Sequence, residues 1–311
     1  MDELIIPRAD IQKPPKRART KGLKAALEGV MHLLFLLCGG LAVAFVLFIS
    51  VYLIVSGLPA IREVGLWDFL FGSTWAPTHK TDPQFGILPF ILTSVYGTAG
   101  AVAVGVPVGF LTATFLSKLA PKRLAAAVRT AVDLLAGIPS VVYGLVGMTV
   151  LVPAVRSLFH LSSGATLLAA IVVLSVMILP SIISVSETAL NAVPREYEEA
   201  SLALGATETE TWFRVSAPAA SGGIATAVAL GIGRAIGEAM AIMMVAGNVA
   251  NMPGLFQSVR FLTTAIASEM SYAGVGTLQR NALYSIALVL FLFIMLINVI
   301  LNLCLKKKKE G

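Results

Sequence analysis

Two ionisable residues stand alone in a long apolar run. Residues 231–240 read Gly-Ile-Gly-Arg-Ala-Ile-Gly-Glu-Ala-Met, and between residues 217 and 247 only Arg234 and Glu238 carry charge. An arginine at the centre of a bilayer helix costs about 2.5–3.5 kcal/mol on insertion scales. Something must offset that cost. The planar guanidinium fork suits oxyanions, phosphate above all, and Glu238 lies four residues on, within reach of a helical pair. Two roles stay open at this point. In one, the pair neutralises itself and pins its helix to its neighbours. In the other, Arg234 meets an anion crossing the membrane, while Glu238 orients the guanidinium or accepts a hydrogen bond from a ligand that still carries a proton. That arrangement favours hydrogen phosphate over sulfate. On a wheel drawn through the run as one helix, Gly223, Ala227, Gly231, Gly237 and Glu238 fall on the Arg234 side, so the charges share a face with the small residues.

A second constellation lies just upstream, in 188–216. Pro194 suits a first helical position, Glu196, Glu198 and Glu199 complement a helix N-terminus, and Gly205 supplies a left-handed cap. Val193, Tyr197, Ala200 and Leu204 share one face. Thr207 and Glu210 have capping-box spacing, opening the helix that leads toward Arg234. Helices that lie on lipid carry Lys and Arg on the polar face. This one carries three glutamates, which makes it a docking knob for a protein.

The elements that position these groups are membrane helices. The chain is 57% hydrophobic and 13% charged, more apolar surface than a water-soluble fold of this length hides. Alternation in ten-residue segments is absent, which excludes an outer-membrane barrel. Runs of about 20 apolar residues are needed per span, and six are expected, at about 31–56, 88–117, 128–156, 165–187, 217–246 and 282–305. Residues 1–30 read as a basic cytoplasmic tail and 306–311 as a basic cytoplasmic end. The first apolar run, about 26 residues, is too long for a cleavable signal. With both termini inside, inner segments carry 17 Lys and Arg and outer segments five, a strong positive-inside bias. The net charge of +6 therefore faces anionic lipid, and no nucleic acid is implied. Gly137, Pro139 and Gly144 are expected to kink the third span. The aromatics of 57–87 and 247–281 anchor at the interface or form a platform for an external partner. Cys38 and Cys304 form no disulfide or metal motif.

These motifs resemble a known family. Glu199-Ala200-Ser201, three residues, Gly205, nine residues, then Val215-Ser216-Ala217-Pro218 is similar to the EAA loop of ABC-importer permeases, E-A-A-x3-G-x9-I-x-L-P, with departures at Ser201, Val215 and Ala217. Residues 233–248, GRAIGEAMAIMMVAGN, resemble a signature of phosphate-importer permeases, as do 134–145 and 84–94. The run after Glu238 is closer to the PstC-type than to the paralogous PstA-type permeases. The resemblance implies an all-α, six-helix type I ABC importer permease in the bacterial inner membrane. It implies a heterodimer with the paralogous permease, two copies of a cytoplasmic ATPase and an extracytoplasmic phosphate-binding protein. It further implies that Arg234 and Glu238 line the phosphate path, and that Tyr197, Glu198, Glu199, Ala200, Ser201, Leu204 and Gly205 couple to the ATPase.

No P-loop is present, so ATP and Mg belong to a partner and this chain is expected to carry no cofactor and no enzyme activity. The alternatives are an ABC permease for sulfate or molybdate, a passive anion channel or proton-coupled carrier, and a membrane enzyme or scaffold. A channel needs no acidic docking helix, and an enzyme needs a catalytic constellation that His32, His79 and His160 do not make.

Overall fold

The computed structural model describes residues 23–79 and 81–307; the outer parts of the expected tails, 1–22 and 308–311, lie outside them. The chain divides into two compact units between Val51 and Tyr52, inside the first helix. The unit up to Val51 holds the first part of α1 (Leu23–Val64), whose described side chains form an apolar surface suited to lipid.

The unit from Tyr52 holds the rest. A short helix α2 (Leu66–Phe71) and a two-residue antiparallel pair, β1 (Trp75–Ala76) and β2 (Gln84–Phe85), precede α3 (Leu88–Thr114). α3 runs into a π turn at Phe115–Leu119. After it come α4 (Lys122–Gly137), α5 (Ser140–Val146), a second π turn at Gly147–Leu151, and α6 (Val152–Leu158). α7 (Leu167–Asn191) follows, then α8 (Arg195–Ala203), α9 (Glu208–Thr211), a third π turn at Trp212–Ser216, and α10 (Ala217–Ala219). The chain closes with α11 (Ser221–Gly237), α12 (Met240–Val245), α13 (Leu262–Glu269) and α14 (Leu278–Lys307). Among the described residues, five helices are long and apolar enough to cross a membrane. The chain from α9 through α11, bent by 74° where Pro218 and the non-helical Ala220 interrupt it, makes a sixth.

α7 is the axis of the fold. Its side chains Leu174, Met177, Ile178 and Ile182 are fully buried. α3 lies parallel to it, because Gly100, Gly105 and Gly109 meet Ile171, Ile178 and Ile182 so closely that a methyl group at any of the three glycines would fall within 3 Å of the isoleucine. α11 runs the other way, with Gly223 at Ala189 and Gly231 at Ile182. The first amides of α7 need partners. Leu167 and Leu168 donate to the carbonyls of Gln257 and Leu255, and Ala169 donates to the Thr166 hydroxyl. The 247–261 segment thus folds back over that end of α7.

Two expectations about the spans change. The third span, taken as 128–156, is not one kinked helix. The helix stops at Gly137; Ile138 and Pro139 are extended, and α5 starts afresh. The expected platform of aromatics also divides: Phe69, Trp75 and Phe85 form a core with Phe90, while Trp67 and Phe71 stack on each other and stay exposed.

Candidate functional site

α11 presents two faces. Gly223, Ala227, Gly231 and Ala235 turn toward the core, with Gly223 and Gly231 seated on α7. Gly222, Thr226, Leu230, Gly233 and Gly237 form an open stripe, and a methyl at Gly222, Gly233 or Gly237 would meet nothing. Arg234 stands at the border between them, half-buried. It lies one turn past Gly231, which touches Ile178 and Ile182, so it is level with the middle of α7. α7 is about 37 Å long at ~1.5 Å per residue, so the cation sits far from either end of that helix. Tyr143 of α5 is close enough to feel its charge.

Glu238 is not the helical partner of Arg234, and here the wheel fails. α11 stops at Gly237, and Glu238 is extended (φ −74°, ψ 129°). Its carboxylate turns to the next helix, where Oε1 accepts from the Ala241 amide at 3.0 Å. The Thr263 hydroxyl donates to the Glu238 carbonyl at 2.7 Å, occupying a group that the break sets free. Among the described residues no carboxylate lies within 4.0 Å of Arg234. Mutual neutralisation through an i, i+4 pair is therefore not how its charge is compensated. An arginine with open donors, at a helix break beside a stripe of small residues, can take an oxyanion bidentately.

At the far end of α7 stands α8. Gly205 closes it with φ +86°, and Thr207 and Glu210 make the capping box that starts α9. Of the residues expected to couple to an ATPase, Tyr197, Glu199, Ala200, Leu204 and Gly205 lie on the outer surface, Leu204 with 90% exposure. Glu198 and Ser201, also expected to couple to an ATPase, are only part-exposed and make bonds within the chain. Ser201 hydrogen-bonds Thr211 at 2.8 Å, and Glu198 accepts from Lys118 and from the Ser216 hydroxyl. Burial pushes the Glu198 carboxyl up, but the bonds from Lys118 and Ser216 and the Lys118 and Arg195 charges outweigh it and hold it below the usual carboxylate range. A depressed carboxyl stabilises the fold at neutral pH and loses that contribution only as pH falls through its folded value. Replacing Gly205 with valine forces a β-branched residue to φ +86°, a strain of about 1–2 kcal/mol. The expected result is a displaced α8 end and weaker binding to whatever protein α8 contacts, read by co-purification.

Two charged groups at the helix ends escape a reading by spans. Arg129 donates Nε to Glu187 Oε1 at 2.7 Å, tying α4 to α7 beside a cavity of about 430 Å³ lined also by Asp133, Ser184, Thr188 and Asn191. Ser184, Glu187, Thr188 and Asn191 recur at helical spacing, the signal that was there to find. At the other end of α7, Glu269 takes Arg260, the Trp75 indole and Gln279, while Arg260 also donates twice to the Asn248 carbonyl. Its members are scattered over 200 residues of sequence, so no local pattern announces them.

The profile of the family described as "Binding-protein-dependent transport system inner membrane component" matches residues 105–308. The probable ABC transporter permease protein YqgH of Bacillus subtilis (strain 168) is 40% identical over 268 residues, covering 84% of this chain and 86% of that protein. The phosphate transport system permease protein PstC of Pasteurella multocida (strain Pm70) is 32% identical over 293 residues, covering 85% and 90%. Among solved structures, the chain is similar to a bacterial alginate ABC transporter crystallised with a pentasaccharide-bound periplasmic protein (TM-score 0.59, 17% identity, 87% of this chain and 92% of that chain). It is also similar to the inward-facing MetNI methionine ABC transporter (TM-score 0.56, 21% identity, 71% and 95%). At these identities the two structures speak for the fold.

Proposed function

The chain belongs to the family of binding-protein-dependent transport system inner membrane components, and from that membership we propose that it is a permease subunit of an ATP-driven importer of inorganic phosphate. One observation carries the substrate class: Arg234 stands mid-way along the bundle, at a break in the helix that presents it, with no carboxylate among the described residues within ion-pair distance. An isolated cation at that depth needs an anion, and a planar fork favours a tetrahedral oxyanion. The relatives named phosphate permeases support phosphate among the oxyanions. Glu238 supports it too, since a carboxylate near the path accepts a hydrogen bond from hydrogen phosphate and repels sulfate.

The importer reading includes partners. The paralogous permease completes the path on the open stripe of α11. Two copies of a cytoplasmic ATPase bind ATP and Mg, and their clefts receive α8 through Tyr197, Glu199 and Leu204. A phosphate-binding protein docks on the opposite end, over the 247–261 segment. Both termini are cytoplasmic, in keeping with 17 inner against five outer Lys and Arg. ATP binding in the partner closes the α8 end, the binding protein releases phosphate toward Arg234, and hydrolysis resets the path inward.

The test is uptake of radiolabelled phosphate into proteoliposomes holding the full complex. Uptake is expected to need ATP and the ATPase, and to be competed by arsenate but not by sulfate or molybdate. Undiminished uptake without ATP would exclude the importer, and uptake of sulfate in place of phosphate would exclude the substrate.

A further inference from the structure

Glu198 holds together two segments that depart from the α-helix in the same way. At the end of α3 the Ala120 amide donates to the Phe115 carbonyl, five residues back, at 2.9 Å. Below the bend that leads into α11, the Ala217 amide likewise donates to the Trp212 carbonyl. Each is a π turn, with one residue more than the α-helical ladder accommodates. Such turns are rare and concentrate where helices must adjust. Lys118 belongs to the first and Ser216 to the second. Both donate to the same oxygen, Glu198 Oε1, at 2.5 and 2.8 Å.

The clasp is shielded. Ser216 is fully buried, and the side chains of Lys118 and Glu198 are only 13% and 21% exposed. Two further bonds surround it. Ser117, in the first π turn, donates to Asn191 at the end of α7, and Ser201 of α8 bonds Thr211, next to the second π turn. Glu199, the next residue on α8, points outward and is free to meet a partner. The two adjacent glutamates therefore differ in exposure: Glu198 is held in the clasp and Glu199 is open to a partner.

We propose that Glu198 is a positioning residue that passes movement of α8 to two spans at once, through the π turns at Phe115–Leu119 and Trp212–Ser216. Displacing α8 drags Oε1, and with it Lys118 at the foot of α3 and Ser216 at the foot of the span that carries Arg234. The inference rests on the reading of α8 as the ATPase contact, and it assigns Glu198 to transmission within this chain, not to the contact itself. A partly buried ion pair transmits well because neither charge can let go into water; removing one partner leaves the other stranded.

The experiment uses the full complex in proteoliposomes, with three readouts per assembled complex: ATPase retention on the permeases, stimulation of ATP hydrolysis by the binding protein, and phosphate carried per ATP. E198Q keeps an acceptor for Ser216 but removes the charge, and K118M removes the other partner. Both are expected to retain the ATPase, to lose stimulation by about fivefold or more, and to carry fewer phosphates per ATP. E198D keeps the charge but shortens the reach, and should fall between E198Q and the parent. E199Q is expected to do the reverse, weakening ATPase retention while complexes that do form carry the normal number of phosphates per ATP. If E198Q and K118M lose the ATPase but the remaining complexes are normally stimulated, Glu198 is a docking contact and the proposal falls. It falls equally if they match the parent in all three readouts. If E198Q does not assemble, K118M and E198D decide by the same criteria. A parent complex that is stimulated by its binding protein yet carries no phosphate would sink the substrate reading alone, and stimulation would still judge Glu198.

Discussion

Replacing Arg234 with glutamine is expected to abolish phosphate uptake while the complex still assembles. The side chain stands half-buried at the border of the face packed on α7, and among the described residues no carboxylate lies within 4.0 Å of it. A structural arginine would strand a partner when removed, and here there is none to strand. Glutamine keeps most of the length and two donors but neither charge nor fork. A bidentate, charge-assisted grip is worth about 1.5–3 kcal/mol per bond, so its loss lowers uptake by roughly a hundredfold or more. Lysine restores the charge without the fork and should recover only part of the rate. The measurement is uptake normalised to assembled complex, beside binding-protein-stimulated ATP hydrolysis. A complex that fails to assemble, yet transports normally where it does, would return Arg234 to a packing role.

The second large effect is expected at Gly144. The sequence suggests a kink there, and the structure shows a contact instead. A methyl at Gly144 would stand 2.7 Å from the Met244 sulfur and 2.9 Å from the Ala241 Cα. The methionine can move; the backbone of α12 cannot do so freely. Ala241 is also the residue whose amide binds Glu238, so pushing α12 away pulls on the cap that fixes the break beside Arg234. Overpacking of this kind costs about 1–3 kcal/mol. Gly144→Val is therefore expected to cut uptake at least about tenfold while its distant neighbour α8 still binds the ATPase. Gly137 makes the matched comparison. A methyl there meets nothing, so Gly137→Ala should transport nearly as well as the parent. Equal losses at both positions would refute the account of Gly144.

How much of this could be read in the residues depends on how far away the deciding partner lies. The capping box of Thr207 and Glu210 and the left-handed Gly205 were legible because each is settled within four residues. Apolar length made the spans legible in the same way. The break at Glu238 was not, because small apolar residues continue on both sides of it, and the bond that secures it comes from Thr263, 25 residues on. The stop at Gly137 hid for a similar reason: Pro139 kinks some helices and ends others, and the Tyr143 hydroxyl joins the Ile138 amide on the Leu135 carbonyl to close this one. Glu198 looked like its neighbour Glu199 until Lys118, 80 residues earlier, turned it inward. Arg234 stood out as a candidate because a lone charge in lipid demands explanation whatever the helix does around it.

The cluster around Glu269 bears on how the protein is made. Arg260 and Trp75 precede it in the chain, but Gln279 belongs to α14, the last of the described helices to be synthesised. Ser285 of the same helix donates to the Gly57 carbonyl, reaching back across 228 residues. The cap around Glu269 therefore stays incomplete until α14 has been synthesised. A nascent chain halted before that point already holds every residue of the α3–α7 seam. What it lacks is one wall of the cap, with Glu269 short of a donor. The cap therefore closes late in synthesis, and a quality-control protease that recognised it while open would see an unfinished permease and ignore one in which α14 is in place.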